Sequence, residues 1–374
     1  MVQSDEVKTR RRKLPYDDWM ESAGVPIYRG HFVADLRSVE LGWWEERECN
    51  AAFLNLKGME GVSEGRVQEI RPGATLPKLR MAIGELVYAL EGQGLCSVWL
   101  DDARPPRTFE WSARSLFHIP RHSTYQLSNA RGDAPARLLH YNYLPVALSA
   151  IPDPEFLINN EHYRRQDGEA LDDAFSRAVE VKDPAANTRI GVYWLGNFFP
   201  DLSAWDKLAP YRGRGAGGSA VYMRFPGGEM GANMSVFDAG LYKKAHRHGP
   251  GRVIVIPKGE GYSVLWRQGP DEEKIVCPWH EASVFVPPED WYHQHFNVGT
   301  TDARYLALGS LSQFAQKGET LYERAIRQIE YPDEDPWIRQ TFEAEVAKRG
   351  GASLMPEEAY TDPSFEWAYG DESD

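Results

Sequence analysis

Histidines recur at alternate positions in two short segments of the chain. The first segment contains His246 and His248, and the second contains His293, His295 and Asn297. Side chains alternate between the two faces of a β-strand, so the histidines of each segment point to the same side. If the two strands pair, imidazoles from both converge and can bind a divalent ion such as iron, zinc, copper, nickel or manganese.

Three of these residues, His246, His248 and His293, are the predicted metal ligands. Three facial nitrogen ligands leave positions open for a substrate, water or dioxygen, which is typical of a catalytic site. The alternative is that the histidines are core residues with ordinary hydrogen bonds. His295 has three possible roles, namely a fourth ligand, an acid or base beside the metal, or a residue that only packs in the core. We expect the second role, because an imidazole transfers protons near neutral pH.

An internal repeat predicts the elements that must position these residues. Residues 73–94 overlay on residues 240–261, and residues 115–129 overlay on residues 283–297, with almost no gaps. Each unit contains short apolar runs such as LVYAL and VIVIP, separated by Gly or Pro, as is typical of strands joined by turns. The sequence therefore predicts an all-β protein with two similar units.

The second unit resembles the two signature motifs of the cupin superfamily. The matching residues are Gly240, His246, His248, Gly259, Pro288, His293 and Asn297. Arg252 stands where the first motif has Glu, and Asp290 stands where the second motif has an inner Gly. The resemblance implies two tandem cupin barrels, each a double-stranded β-helix or jelly roll, with short helical extensions at both ends.

Composition and the repeat together predict five regions. These are an N-terminal extension (1–60), an N-terminal barrel (61–150), a linker or lid (151–215), a C-terminal barrel (216–312) and a helical tail (313–374). The linker includes a segment of helical character at residues 169–182. The tail has helical spacing that two prolines interrupt, so we expect two short helices.

The N-terminal unit is predicted to have no metal site. The positions that correspond to the cupin ligands carry Leu79, Met81, Glu85 and Tyr125. One carboxylate beside an aliphatic chain, a thioether and a phenol is a poor set of ligands for a divalent ion. His122, at the inner Gly position of the second motif, is interpreted as a rim or core residue.

Arg252 indicates an anionic substrate. A guanidinium near a dication is costly unless an anion lies between them, so we expect Arg252 to bind a carboxylate or enolate bidentately. The alternative is that Arg252 turns outward to a surface acid. Lys244, two residues before His246, is expected to assist. The residues expected to line a substrate pocket, with core packing as the alternative for the aromatic ones, are Tyr262, Trp266, Trp291 and Asn297.

The resemblance implies a reaction class. Cupins with three histidines and no Glu resemble Fe(II) dioxygenases, and the two-barrel length is similar to that of gentisate- and salicylate-type ring-cleaving enzymes. The expected function is thus dioxygenase cleavage of a small anionic aromatic or dicarbonyl substrate at the C-terminal barrel. A non-redox lyase, decarboxylase or isomerase using Mn, Zn or Ni is the second possibility, and a non-catalytic ligand-binding protein is the third.

Bulk properties limit the partners and the location. A formal charge of −13 and a pI near 5.3 argue against nucleic acid or an anionic membrane as the main partner. Three widely spaced cysteines fit free thiols in a reducing compartment. No apolar stretch is long enough for a signal sequence or a membrane span, so we expect a cytoplasmic location. Cupins commonly associate, so we expect a homodimer or a larger homo-oligomer.

Overall fold

The computed structural model describes residues 13–101, 103–160, 162, 173–182, 191–269, 273–309, 326–362 and 364–369. The helices in this part of the chain are short, namely α1 (Pro15–Ser22), α2 (Leu144–Ala150), α3 (Pro154–Leu157), α4 (Pro336–Lys348) and α5 (Glu358–Thr361). Two 3-10 turns cover Glu45–Arg47 and Tyr331–Asp333. None of the helices within the described ranges is long and apolar enough to cross a membrane.

Strands make up most of the ordered elements. In chain order they are β1 (Ile27–Tyr28), β2 (Phe32–Val33), β3 (Gly42–Trp44), β4 (Cys49–Leu54), β5 (Glu64–Ile70), β6 (Leu79–Arg80), β7 (Glu85–Glu91), β8 (Gln93–Trp99), β9 (Arg107–Ser112), β10 (Leu116–Ile119), β11 (Thr124–Asn129), β12 (Ala136–Asn142), β13 (Val179–Lys182), β14 (Val192–Leu195), β15 (Phe198–Phe199), β16 (Ala209–Pro210), β17 (Ser219–Arg224), β18 (Gly231–Phe237), β19 (Ala245–His246), β20 (Val253–Lys258), β21 (Gly261–Trp266), β22 (Ile275–Trp279), β23 (Val284–Phe285), β24 (Tyr292–Asn297), β25 (Ala303–Leu308) and β26 (Gln328–Ile329).

These strands form two barrels, each made of a large sheet and a small one. In the N-terminal barrel the large sheet has the order β1-β4-β5-β12-β7-β10-β15, with β3 on β4, and the small sheet has the order β6-β11-β8-β9. In the C-terminal barrel the orders are β13-β14-β17-β18-β25-β20-β23-β2, with β16 on β17, and β22-β21-β24-β19-β26. The prediction of an all-β protein with two tandem cupin barrels is confirmed.

The sequence repeat is also a structural repeat. Leu79 pairs with Tyr125 in the first barrel, and the corresponding His246 pairs with His293 in the second. The inner Gly position of the second motif has a positive φ in both barrels, 59° at His122 and 58° at Asp290. Because glycine adopts this left-handed conformation most easily, the cupin preference for Gly there has a conformational origin.

The two barrels exchange short strands, and here the structure differs from the predicted region boundaries. β2, from the first 60 residues, pairs with β23 of the C-terminal barrel. β15, from the predicted linker, pairs with β10 of the N-terminal barrel. β4 lies in the N-terminal barrel sheet although it precedes residue 61. Two-residue strands take their pairing from distant partners, so local patterning does not reveal them.

The C-terminal tail packs on its own barrel. Ile338, Phe342 and Val346 lie one turn apart on α4 and are buried. The Phe342 ring lies 4.8 Å from that of Tyr242 and 5.9 Å from that of Phe296. Residues 313–325 of the predicted tail lie outside the described residues, and residues 328–329 form β26 instead of a helix. In the predicted helical segment 169–182, the described part contains turns and β13.

Candidate metal centre

The structure brings His246, His248 and His293 together inside the C-terminal barrel. One nitrogen from each imidazole can be chosen so that all three lie within 4.8 Å of one another. The His293 ring centroid is 4.2 Å from that of His246 and 4.6 Å from that of His248. Within the described ranges, no other group of three histidine, cysteine or acidic side chains meets this criterion.

Local backbone structure explains this convergence. His246 is the second residue of β19, which lies between β24 and β26 and sets His246 opposite His293. His248 follows the strand, and its carbonyl oxygen accepts a hydrogen bond of 3.0 Å from the Asp290 amide. The left-handed turn at Asp290 thus connects the two motif segments, although the residue at this position is Asp instead of the Gly of the motif.

The orientation of the imidazoles fits a metal ion. Each Nδ1 faces a backbone carbonyl oxygen, at 3.4 Å for His246, 2.8 Å for His248 and 3.3 Å for His293. Such contacts favour the tautomer with the proton on Nδ1. The unprotonated Nε2 is then available to coordinate a metal ion, which is the usual arrangement around protein-bound metals. The buried Nε2 of His293 has no hydrogen-bond partner among the described residues. A metal ion at this position would account for the missing partner.

Burial keeps these imidazoles neutral and ready to act as ligands. It lowers the pKa of His293 to about 3. Burial also lowers the pKa of His246 well below its usual value, and the charge of Arg214 adds to the shift. The pKa of His248 falls well below its usual value because of burial, with His293 and Arg252 contributing. Neutral imidazole is the form that binds metal, so no proton has to be displaced at neutral pH.

Two guanidinium groups make the surroundings of the cluster electropositive. The positive charge of Arg252 helps burial to lower the pKa values of His248 and His293. Sequence reasoning missed Arg214, because this residue falls at the end of the predicted linker or lid, residues 151–215. Its Nη1 donates a hydrogen bond of 2.7 Å to Oε1 of Gln328, the residue that pairs with His246 on β26.

His295 is buried beside the three clustered histidines. Its ring centroid is 5.5 Å from that of His293 and 4.4 Å from that of Tyr305. Its Nδ1 is 2.9 Å from the hydroxyl oxygen of Ser263, which also accepts a hydrogen bond from the Trp279 indole. This placement suits an acid or base close to the metal rather than a fourth member of the close cluster.

Lys244 does not assist at the cluster. Its ammonium pairs with the carboxylate of Glu330 and lies 5.6 Å from the centre of the Tyr331 ring. The prediction assumed that Lys244 and His246 lie on one face of a strand, but β19 contains only Ala245 and His246. The alternation of faces therefore does not extend to residue 244, and it is the neighbouring Lys243 that is fully buried.

The predicted substrate pocket also needs correction. Tyr262 stacks on Phe296 at 4.5 Å and Trp266 stacks on Tyr292 at 5.7 Å, and both partners alternate with the inward-facing histidines of β24. These aromatic residues therefore pack on the opposite face of the sheet. Asn297 holds a turn, since its amide nitrogen donates to the carbonyl oxygen of Thr301 at 2.9 Å.

Trp291 contacts one of the clustered histidines through its backbone. Its carbonyl oxygen is the one facing His293 Nδ1, and its ring lies 5.8 Å from the ring of His31. His31 precedes the exchanged strand β2, so the N-terminal part of the chain reaches the C-terminal site.

The N-terminal barrel has an ion network where the second barrel has its histidines. Glu85, at the motif carboxylate position, accepts hydrogen bonds from Arg66 at 2.6 Å, Tyr125 at 2.6 Å and Asn142 at 3.0 Å. Its other close neighbour is the His140 Nδ1, at 2.9 Å. The carboxylate is thus fully occupied by protein groups.

Arg66 supplies the positive charge of this network. It also pairs with Glu64, and all three charged side chains are at most 2% exposed. Burial by itself would raise the pKa of Glu85, but the charge of Arg66 and the contacts with His140 and Tyr125 together outweigh it and hold the pKa well below its usual range. Burial lowers the pKa of His140 to about 4, so Arg66 is the cation that compensates the carboxylates near neutral pH.

Comparisons with known proteins add little to this description. No protein-family model matches the chain, and no curated protein sequence is similar to it. Similar solved structures include Bacillus subtilis oxalate decarboxylase, studied for its Mn(II) centres, with 12% identity, 77% of this chain and 79% of that chain covered, and a TM-score of 0.46. Another is the 7S globulin of Momordica charantia, with 10% identity, 76% and 84% coverage, and a TM-score of 0.45. Similarity at this level says nothing about substrate or reaction, and the two-barrel cupin architecture rests on strand order and the internal repeat.

Proposed function

We propose that the C-terminal barrel binds one divalent metal ion through His246, His248 and His293, and that the protein is a metal-dependent enzyme. The observation that carries the proposal is the cluster of two buried imidazoles and one half-buried imidazole, whose Nδ1 atoms all face backbone carbonyls. When bound, the ion would polarise substrate oxygens and, if it is iron, exchange electrons. The protein residues would hold the ion, orient the substrate and transfer protons.

The proposed substrate is a small anion. Three neutral ligands leave the full charge of the ion uncompensated, and Arg214 and Arg252 add positive charge that already lowers the pKa values of the imidazoles. An anionic oxygen donor between the guanidinium groups and the metal would relieve this accumulation. Arg252 would bind the carboxylate or enolate of the substrate, as the sequence predicted.

The first candidate reaction is dioxygenase cleavage of an aromatic or dicarbonyl carboxylate with Fe(II). It is supported by the facial set of three nitrogen ligands, which lacks the carboxylate found in most other cupin sites. The second candidate is a non-redox lyase, decarboxylase or isomerase with Mn, Zn or Ni. The position of His295 favours this second class, because a buried imidazole near the ligands suits proton transfer to or from a substrate.

Oxygen consumption separates the two reactions. Protein purified anaerobically and loaded with Fe(II) would be supplied with hydroxylated aromatic acids and dicarbonyl acids while dissolved oxygen is recorded. Uptake that requires both the substrate and His293 supports the dioxygenase. Substrate loss at the same rate without oxygen, in protein loaded with Mn(II), supports the non-redox class. If acids bind the metal-loaded protein but none is converted with either metal, the enzymatic proposal is wrong and a ligand-binding role replaces it.

A further inference from the structure

A buried lysine beside the candidate metal centre has no role in the proposed function. Lys243 is fully buried, and its ammonium nitrogen has no hydrogen-bond partner among the described residues. The nearest aromatic rings are those of Phe237 and Tyr211, whose centres lie 5.3 and 5.6 Å from the nitrogen. Ring faces attract a cation weakly and do not replace a hydrogen-bonding partner.

Lys243 belongs to the same layer of the barrel as His295. Its backbone amide donates a hydrogen bond of 3.0 Å to the carbonyl oxygen of His295, and its charge contributes to lowering the pKa of that imidazole, after burial and His293. The ammonium lies against the backbone of Gly218, where a Cβ would be 2.0 Å from Nζ. Lys243 thus occupies space that a side chain at position 218 would fill.

Charges around Lys243 are mostly of the same sign. Arg214 is close enough for its charge to disfavour the ammonium, and Asp238, the acid that offsets this, is exposed. An unpaired buried cation is strongly destabilising unless an anion or hydrogen-bond acceptor completes its surroundings. The described residues therefore place an amine in the interior of the barrel without a complementary hydrogen-bonding group.

We propose that Lys243, with Arg214, binds a second carboxylate of the substrate deep in the C-terminal barrel. This inference rests on the proposed function and narrows the substrate to an acid with two anionic groups. One group would reach the metal centre beside Arg252, and the other would pair with the Lys243 ammonium on the His295 side.

Matched acids test this proposal. Protein loaded with Co(II) would be titrated with succinate and with butyrate, which has the same number of carbons but one carboxylate, while the visible absorption of cobalt and the heat of binding are recorded. Malonate with propionate and glutarate with valerate cover shorter and longer substrates. At least one diacid should bind ten times more tightly than its monoacid. Equal affinities in all three pairs would overturn the proposal.

Variants at two adjacent lysines show which side chain causes the preference for the diacid. Lys243→Met should abolish the preference for the diacid and leave monoacid binding unchanged, whereas Lys244→Met should retain it, because Lys244 pairs with Glu330 away from the cluster. Retention of the preference in Lys243→Met would refute the role of the amine. If Lys243→Met does not fold, as judged by circular dichroism, Lys243→Gln provides the same comparison.

Failure of the metal site is distinguishable from failure of this inference. Cobalt binding is read directly from the absorption spectrum before any acid is added. If cobalt does not bind, the proposed function is wrong, and the Lys243 site is then tested by calorimetry of succinate with metal-free protein. Heat that Lys243→Met removes supports the site, and heat that is equal in both proteins contradicts it.

Discussion

Replacing Arg66 with Met should strongly destabilise the N-terminal barrel. The guanidinium contacts Glu64 and Glu85, and all three side chains are at most 2% exposed, so the substitution leaves two buried carboxylates without a cation. His140 does not compensate at pH 7, since burial lowers its pKa to about 4. Breaking a buried ion pair from one side costs about 3–5 kcal/mol, and that is the loss in unfolding free energy we expect.

The assay is urea unfolding followed by circular dichroism and tryptophan fluorescence, with Arg114→Met as the control. Arg114 pairs with Glu281 at about one-third exposure, so its loss should cost less than about 1 kcal/mol. Without Arg66 the pKa values of Glu64 and Glu85 rise in the folded state. The loss in unfolding free energy of Arg66→Met should therefore be largest at pH 7 and shrink towards pH 4, as both carboxylates protonate.

A neutralised variant separates charge from packing. Adding Glu64→Gln and Glu85→Gln to Arg66→Met removes the unpaired charges and should recover most of the lost stability. The role given to Arg66 would be refuted if Arg66→Met lost no more unfolding free energy than Arg114→Met. It would also be refuted if that loss grew as the pH falls.

Two further predictions concern the C-terminal barrel. Lys243→Met should stabilise the metal-free protein. Burial lowers the pKa of Lys243 from 10.5 to about 7. The wild-type protein therefore gains stability as the pH rises from 7 to 10.5, because the folded state no longer holds a buried cation, and the variant shows no such gain. The advantage of the variant, at most about 5 kcal/mol, should be greatest below pH 7 and vanish near pH 10.5 in thermal unfolding; an advantage that grows with pH would contradict it. Arg252→Ala should weaken carboxylate binding at least tenfold in calorimetry with metal content unchanged, and unaltered affinity would exclude the predicted contact.

The sequence predicted the parts of the site that lie on long strands or in the repeat. In β24 the alternation of faces places His293 and His295 inside, and the overlay of the two units identified the positions of His246 and Glu85. These features are local, or are repeated in the chain, so residue spacing alone reveals them.

Features that depend on distant contacts were missed. Lys244 was predicted to face inward because β19 was assumed to be longer than two residues. Arg214 approaches the cluster through the folding of a glycine-rich loop, which has no strand or helix periodicity. Arg66, which provides the charge that balances Glu85, lies on β5 outside both motifs. Nothing in its local sequence distinguishes it from an arginine at the surface.

Metal content tests the central claim most directly. Protein purified anaerobically would be measured by mass spectrometry of its metals, beside His293→Ala and, as a control, Tyr125→Phe at the equivalent position of the N-terminal barrel. We expect about one divalent ion per chain in the wild-type protein and in Tyr125→Phe, and almost none in folded His293→Ala. A wild-type protein without bound metal even after reconstitution, or His293→Ala with a full complement, would contradict it.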